Sequence, residues 1–212
     1  MKKVLFTLVL LVMVLGLVGN ADATLLPFNG SVPATGAGSP GTGAALAYLK
    51  YDMVGIDANN ITHWKGTLEQ WVRNSSNGTG MVFEYKITND GPVAITLEDI
   101  TNFNGWTTWA DADGTGVNPS NISRSTSIIS STVSATWTPP NSIGAGFNSG
   151  LLWIETDAPS FKLIGSTTVQ GGGQDRFKTY APTVPEPTSA MLLGMGLIGF
   201  AGRLIRRKKF MA

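Results

Sequence analysis

The side chains with reactive chemistry are few. The 212 residues include one histidine and no cysteine, which removes thiol nucleophiles, thiolate metal sites and histidine-rich zinc centres. A serine triad would have to use His63 as its base, and no G-x-S-x-G elbow accompanies it. Between Thr62 and Trp64, in a stretch that reads as a loop, His63 is better explained as a surface or hydrogen-bonded residue. Asp111-Ala112-Asp113-Gly114-Thr115-Gly116-Val117-Asn118 alternates oxygen-bearing side chains around a glycine. Loops of this kind wrap a hard cation such as calcium, here through Asp111, Asp113 and Asn118. The same residues also make a plain Asp-Gly turn, and the EF-hand's terminal Glu is missing. No other cofactor is indicated. Trp106 and Trp109 fall among Gly, Asn and Thr, where indoles either stack on a carbohydrate or pack as core.

The two ends of the chain carry the chemistry of transport. Lys2 and Lys3 precede an apolar run from Val4 to Val18, and Ala21-Asp22-Ala23 supplies the small residues that a signal peptidase needs. Residues 1–23 therefore read as a signal peptide that engages the secretion translocon, and Thr24 as the start of the mature chain. At the other end stand Val184-Pro185-Glu186-Pro187, an apolar run from Ala190 to Gly202, and a basic cluster of Arg203, Arg206, Arg207, Lys208 and Lys209. The prolines make a rigid extended turn, and the basic end over 203–209 favours the cytoplasmic side of a bilayer. A transmembrane helix over 189–205, rising about 1.5 Å per residue, would cover roughly 25 Å of the ~30 Å hydrocarbon core. It would span only with snorkelling and local thinning.

These three parts in this order closely resemble the PEP-CTERM sorting signal of Gram-negative bacteria, here over 184–212. Val184, Pro185, Glu186 and Pro187 stand at its motif, Ala190 to Gly202 at its membrane segment, and the five basic residues at its cluster. The resemblance implies recognition and cutting by an exosortase, a membrane-embedded cysteine transpeptidase-like protease. It also implies passage through the inner membrane, followed by the cell surface or an exopolysaccharide (biofilm) matrix.

The part to be delivered, residues 24–183, is long enough for one domain with a real core. It carries eight Lys or Arg against twelve Asp or Glu, a net charge of −4. Eight scattered cations give no basic face to displace phosphate counterions, so nucleic-acid binding is set aside. Without cysteine, stability in an oxidising compartment must come from sheet packing or bound ions.

Period-two apolar patterning dominates this region. Met81, Phe83, Tyr85 and Ile87 share one face, with Glu84, Lys86 and Thr88 expected to face water. Asn89-Asp90-Gly91-Pro92 is turn chemistry, and the alternation at Val93, Ile95 and Leu97 makes the two runs read as a hairpin. Further strands are expected over 47–54, 67–72, 132–137, 151–156, 161–164 and 176–180. Trp71, Trp137 and Trp153 fall within these patterns as core. Residues 24–45 read as a flexible leader; Gly36 to Gly41 matches G-x-G-x-x-G, but no strand and helix flank it. No helical apolar stripe occurs between the two ends. The expected architecture is all-β, an antiparallel β-sandwich of jelly-roll-like or immunoglobulin-like topology, flanked by the two terminal helices. The expected function is that of a non-enzymatic surface or matrix protein sorted by an exosortase. The alternatives are a carbohydrate-binding module or a secreted hydrolase working through paired carboxylates.

Overall fold

The computed structural model of the protein describes residues 24–27, 29–125 and 131–183. The expected signal peptide with Ala21 and Ala23, the motif Val184 to Pro187, the span over 189–205 and the basic residues from Arg203 to Lys209 lie outside the described residues. Among those described, all regular structure is strand: β1 (Thr24–Leu25), β2 (Ser31–Val32), β3 (Gly41–Ile56), β4 (Thr62–Ser75), β5 (Met81–Asn89), β6 (Leu97–Ile100), β7 (Thr108–Ala112), β8 (Asn121–Arg124), β9 (Val133–Thr136), β10 (Phe147–Asn148), β11 (Leu152–Thr156), β12 (Ser160–Gly171) and β13 (Gly173–Thr183).

The strands form one strongly curled antiparallel sheet in the order β1-β7-β11-β5-β4-β3-β13-β12-β6-β9-β8-β2, with β10 added beside β5. Between β3 and β13 the ladder narrows to one pair, Ile56 with Gln174. Residues from both flanks enter one apolar cluster, including Leu68, Val72, Phe83 and Ile87 from one flank and Ile100, Ile122, Val133 and Val169 from the other. Phe83 meets Phe103 edge-on at 5.4 Å between centroids, a geometry that adds about 0.5–1.5 kcal/mol beyond the area buried. The β12–β13 hairpin closes on Gly172, whose φ of 74° is open to glycine at little cost.

The alternation in β5 is realised on its inner face, where Phe83, Tyr85 and Ile87 are fully buried. Its outer face departs from expectation, because Glu84 is only 3 % exposed. The cause is the segment 33–40, which was expected to be a flexible leader and instead lies across the outer face of β7, β11 and β5. Thr35 binds Asp111, the Trp153 indole donates to the Ala37 carbonyl at 2.9 Å, and Ser39 donates to Glu84 at 2.6 Å. Leu26 and Val32, in the same N-terminal stretch, are buried in the core.

The expected hairpin of β5 with the run that follows does not form. β5 pairs with β4, β11 and β10, whereas β6 pairs with β12 and β9 on the other flank. The turn residues serve as a crossover: the Asn89 side-chain amide donates to the carbonyls of Val93 and Ile143, and the Asp90 N–H donates to Lys65. Both edges of β5 are already occupied, so the chain passes to the other flank. Trp137 and Trp153 are buried, but Trp71 is half-buried on the outer face, 5.4 Å from the Tyr48 ring. Trp64, beside His63 in what read as a loop, is instead a fully buried residue of β4.

Glu98 is an acid inside this core. It is 0 % exposed, and neither carboxyl oxygen has a hydrogen-bond partner among the described residues. Burial, and secondarily the charge of Asp99, raise its pKa from 4.5 to about 8. The unfolded chain loses this proton near its ordinary value and the fold retains it, so stability is greatest below about 4.5 and is lost as pH rises through about 8. The full difference is on the order of 3–5 kcal/mol. The denaturation midpoint should therefore fall between pH 5 and pH 8 in the wild type and stay nearly level in Glu98→Met. Parallel declines in both proteins would remove Glu98 as the cause.

Candidate functional site

β13 ends at Thr183 while still paired with β12: Thr183 is in register with Ser160, whose hydroxyl donates to the Thr183 carbonyl at 2.8 Å. The next residue is Val184, the first of the expected sorting motif, so no linker separates the last paired residue from it. By register, this end of the sheet also holds the starts of β3, β5, β7 and β12 and the ends of β4 and β11. Thr24, the expected first residue of the mature chain, lies in β1 opposite Ala110.

Asp111, in β7, is buried. Its Oδ1 accepts the Thr35 and Ala112 N–H groups, each at 2.7 Å, and its Oδ2 accepts the Thr35 hydroxyl. Asp113 accepts the Thr115 N–H at 3.0 Å, the Thr115 hydroxyl at 2.8 Å and the Leu151 N–H at 2.8 Å. The Asn118 side-chain nitrogen lies beside Gly36 and Gly114, and its Oδ1 is buried with no hydrogen-bond partner among the described residues. Asp111 and Asn118 thus meet segment 33–40 at Thr35 and Gly36, whereas Asp113 is bonded to Thr115 and Leu151, and the two carboxylates are engaged by backbone and hydroxyl donors. Among the described residues no group of three or more His, Cys, Asp or Glu side chains comes together.

The structure separates the two tryptophans. Trp106 lines a cleft of about 350 Å³ together with Leu25, Leu26, Pro27 and Arg124. Trp109 lies within β7, between Leu25 of β1 and Glu155 of β11, and does not line that cleft. Arg124 fixes the loop that carries Trp106. Its buried guanidinium donates to the Phe103 carbonyl at 2.6 Å, the Trp106 carbonyl at 3.0 Å and the Ser131 hydroxyl at 2.8 Å. Burial lowers the Arg124 pKa, and the charge of Asp157 opposes that shift.

His63 lies near the start of β4, half-buried, with Nε2 3.1 Å from the Asp57 carboxylate. The Ile61 N–H first, then His63, and also the Asn59 N–H hold the Asp57 carboxyl down to about 2. Among the described residues no Ser or Thr hydroxyl is hydrogen-bonded to the His63 ring. His63 is therefore a paired histidine at a strand end.

Sequence reasoning missed three polar positions. Arg124 read only as one scattered cation, and nothing local marks it as a loop clamp. Glu84 pairs with Arg73 at 2.8 Å beneath Ser39. Glu155, 4 % exposed, accepts from Ser75 and from the Asn77 amide at 3.1 Å. Each depends on a partner distant in sequence, so no spacing signal exists.

A family model of the PEP-CTERM protein-sorting motif matches residues 183–208, beginning on the last residue of β13. No curated protein and no solved structure matches the chain.

Asp111→Ala removes the first anchor of segment 33–40 and leaves the Thr35 donors without their acceptor. A loss of about 1–3 kcal/mol in denaturant unfolding is expected; an unchanged midpoint would show that the anchor is dispensable. Melts with and without millimolar calcium test the cation reading of the loop. A calcium-dependent rise that Asp113→Ala abolishes supports it, and no shift rejects it.

Proposed function

We propose, from the premise that this chain is a PEP-CTERM domain-containing exosortase substrate, that it is a non-enzymatic structural or interaction protein of the cell surface or extracellular polysaccharide matrix. The signal peptide over 1–23 takes it through the translocon, and the tail retains it at the inner membrane until the exosortase cuts near Pro185 to Pro187. The observation that carries this reading is the sorting motif itself, which begins on the final strand of a domain whose described regular structure is all β. In this reading the two flanks of the curled sheet, joined at the Ile56 and Gln174 pair, act as the layers of a sandwich-like domain. The delivered domain is displayed, and its fold supplies a resistant body without disulfides.

Intact-mass measurement of the protein from membrane, culture supernatant and matrix fractions of its native host tests this. A species beginning at Thr24 and ending near Pro187, outside the membrane fraction, is the expected result. A species that retains Arg203 to Ala212 and stays in the membrane would make it a tail-anchored envelope protein instead.

The cleft at Trp106 favours a second reading, carbohydrate binding, since a half-buried indole above an Arg-clamped loop offers a stacking face beside polar groups. Polysaccharide pull-down should then be weakened by Trp106→Ala. Because Trp109 lies outside the cleft, Trp109→Ala should have the smaller effect. Equal retention of wild type and Trp106→Ala, or no retention of either, rejects this reading.

A further inference from the structure

The end of the sheet from which the tail departs carries exposed apolar side chains in built positions. In β12 the ladder with β13 breaks between Lys162 and Gly165, so that Leu163 and Ile164 together stand opposite Tyr180. A β-bulge of this kind turns side chains out of the sheet's regular alternation. Leu163 is 44 % and Ile164 51 % exposed. The bulge is fastened, because the Asn102 side-chain amide donates to the Ile164 carbonyl and the neighbouring Ser166 N–H donates to the Thr101 hydroxyl at 3.0 Å. At the same end, β3 has a second irregularity between Thr42 and Ala47 that leaves Leu46 48 % exposed, and the Arg73 guanidinium donates to the Gly43 carbonyl at 2.6 Å to hold it. Leu25, on β1, is 51 % exposed there as well.

The tether decides what covers these residues. Thr183 is fixed in the sheet, and six residues, Val184 to Ser189, separate it from the apolar run that begins at Ala190. Fully extended, they reach roughly 20 Å. Tyr180, opposite the Leu163 and Ile164 bulge, is only three residues from Thr183 along the strand, about 10 Å. A tail seated in the bilayer therefore holds this end close to the membrane surface. Exposed Leu and Ile side chains on a fixed backbone are the chemistry that partitions into the boundary between headgroups and acyl chains. The opposite end, with Ile61 and Phe147 also exposed, is held away by the length of the strands.

We infer that, while the tail is intact, the exit end of the sheet docks on the lipid surface through Leu163 and Ile164, with Leu46 and Leu25 beside them. Docking keeps Thr183, the residue that precedes the Val184 to Pro187 motif, near the membrane surface, within reach of a membrane-embedded protease. Cutting the tail removes the tether and leaves only a weak apolar contact, so the domain departs. The inference rests on the reading of the tail as a membrane anchor.

The test uses the full chain, with its tail, reconstituted into phosphatidylethanolamine and phosphatidylglycerol vesicles that contain lipids brominated in the acyl chains. Because the protein has no cysteine, Leu163→Cys and Phe147→Cys each give a single labelling site for an environment-sensitive fluorophore. Flotation of the vesicles reads the anchor, and quenching by the brominated lipid reads the docking. The expected result is co-flotation of both proteins, with quenching at position 163 several-fold stronger than at position 147. Co-flotation with equal quenching at the two positions overturns the docking and leaves the anchor standing. A chain that does not float overturns both.

Discussion

The structure depends on covering the outer face of β7, β11 and β5 with a segment that has almost no side-chain bulk. Trp153 stands on that face, yet it is fully buried, as are Asp111 and Glu84 to within a few per cent. What buries them is the backbone from Pro33 to Pro40. It meets β7 at Thr35, β11 at Ala37 and β5 at Ser39, one strand for every two residues. Two extended residues cover roughly 6–7 Å and neighbouring strands lie about 4.8 Å apart, so the segment crosses obliquely and its alternate residues face the sheet. Small residues let the chain come close enough for its own N–H and C=O groups to serve as partners. A buried indole N–H and buried carboxylates need such partners, since leaving them unpaired would cost about 1–3 kcal/mol each.

What could be read from the sequence follows from what is local. The inner face of β5 was legible because Phe83, Tyr85 and Ile87 repeat at the period of a strand and meet one core. The strands containing Ala135 and Ile154 were legible for the same reason. The crossover after Asn89 was not, because Asn89-Asp90-Gly91-Pro92 fixes a change of direction and says nothing about which edge is vacant. That was decided by β11 and β10, which are contributed by residues far along the chain. Glu84 and the segment above it were illegible for a related reason. A Gly, Ala, Ser and Pro composition describes a chain that gains little by burying itself, but here burial is dictated by the groups underneath. At the candidate sites, Asp111 and Asn118 both meet segment 33–40 while Asp113 bonds to Thr115 and Leu151, and Trp106 precedes β7 whereas Trp109 lies in it. The sorting motif was legible for the opposite reason: its parts are contiguous and lie in a fixed order.

The two ends of the described domain are treated alike. Thr24 enters as a paired residue against Ala110, and Thr183 leaves as a paired residue against Ser160. Leu26 and Ala181, each two residues inside these ends, are fully buried. The sorting motif over 183–208 is thus attached to a strand that the fold itself holds in place. Glu98 is the counterexample inside the fold, a position where a charge-capable group is enclosed with no hydrogen-bond partner among the described residues.

The register of β12 with β13 also determines how the protein bears load. A pull on Thr183 directed along β13 would act on a strand joined to β12 from Gly173 opposite Gly171 to Thr183 opposite Ser160. Tension applied in this direction shears the ladder, which the bulge between Lys162 and Gly165 divides into a short run at the exit and a longer one behind it. Force reaching Thr183 would therefore meet the short run first, where Thr183 is held opposite Ser160.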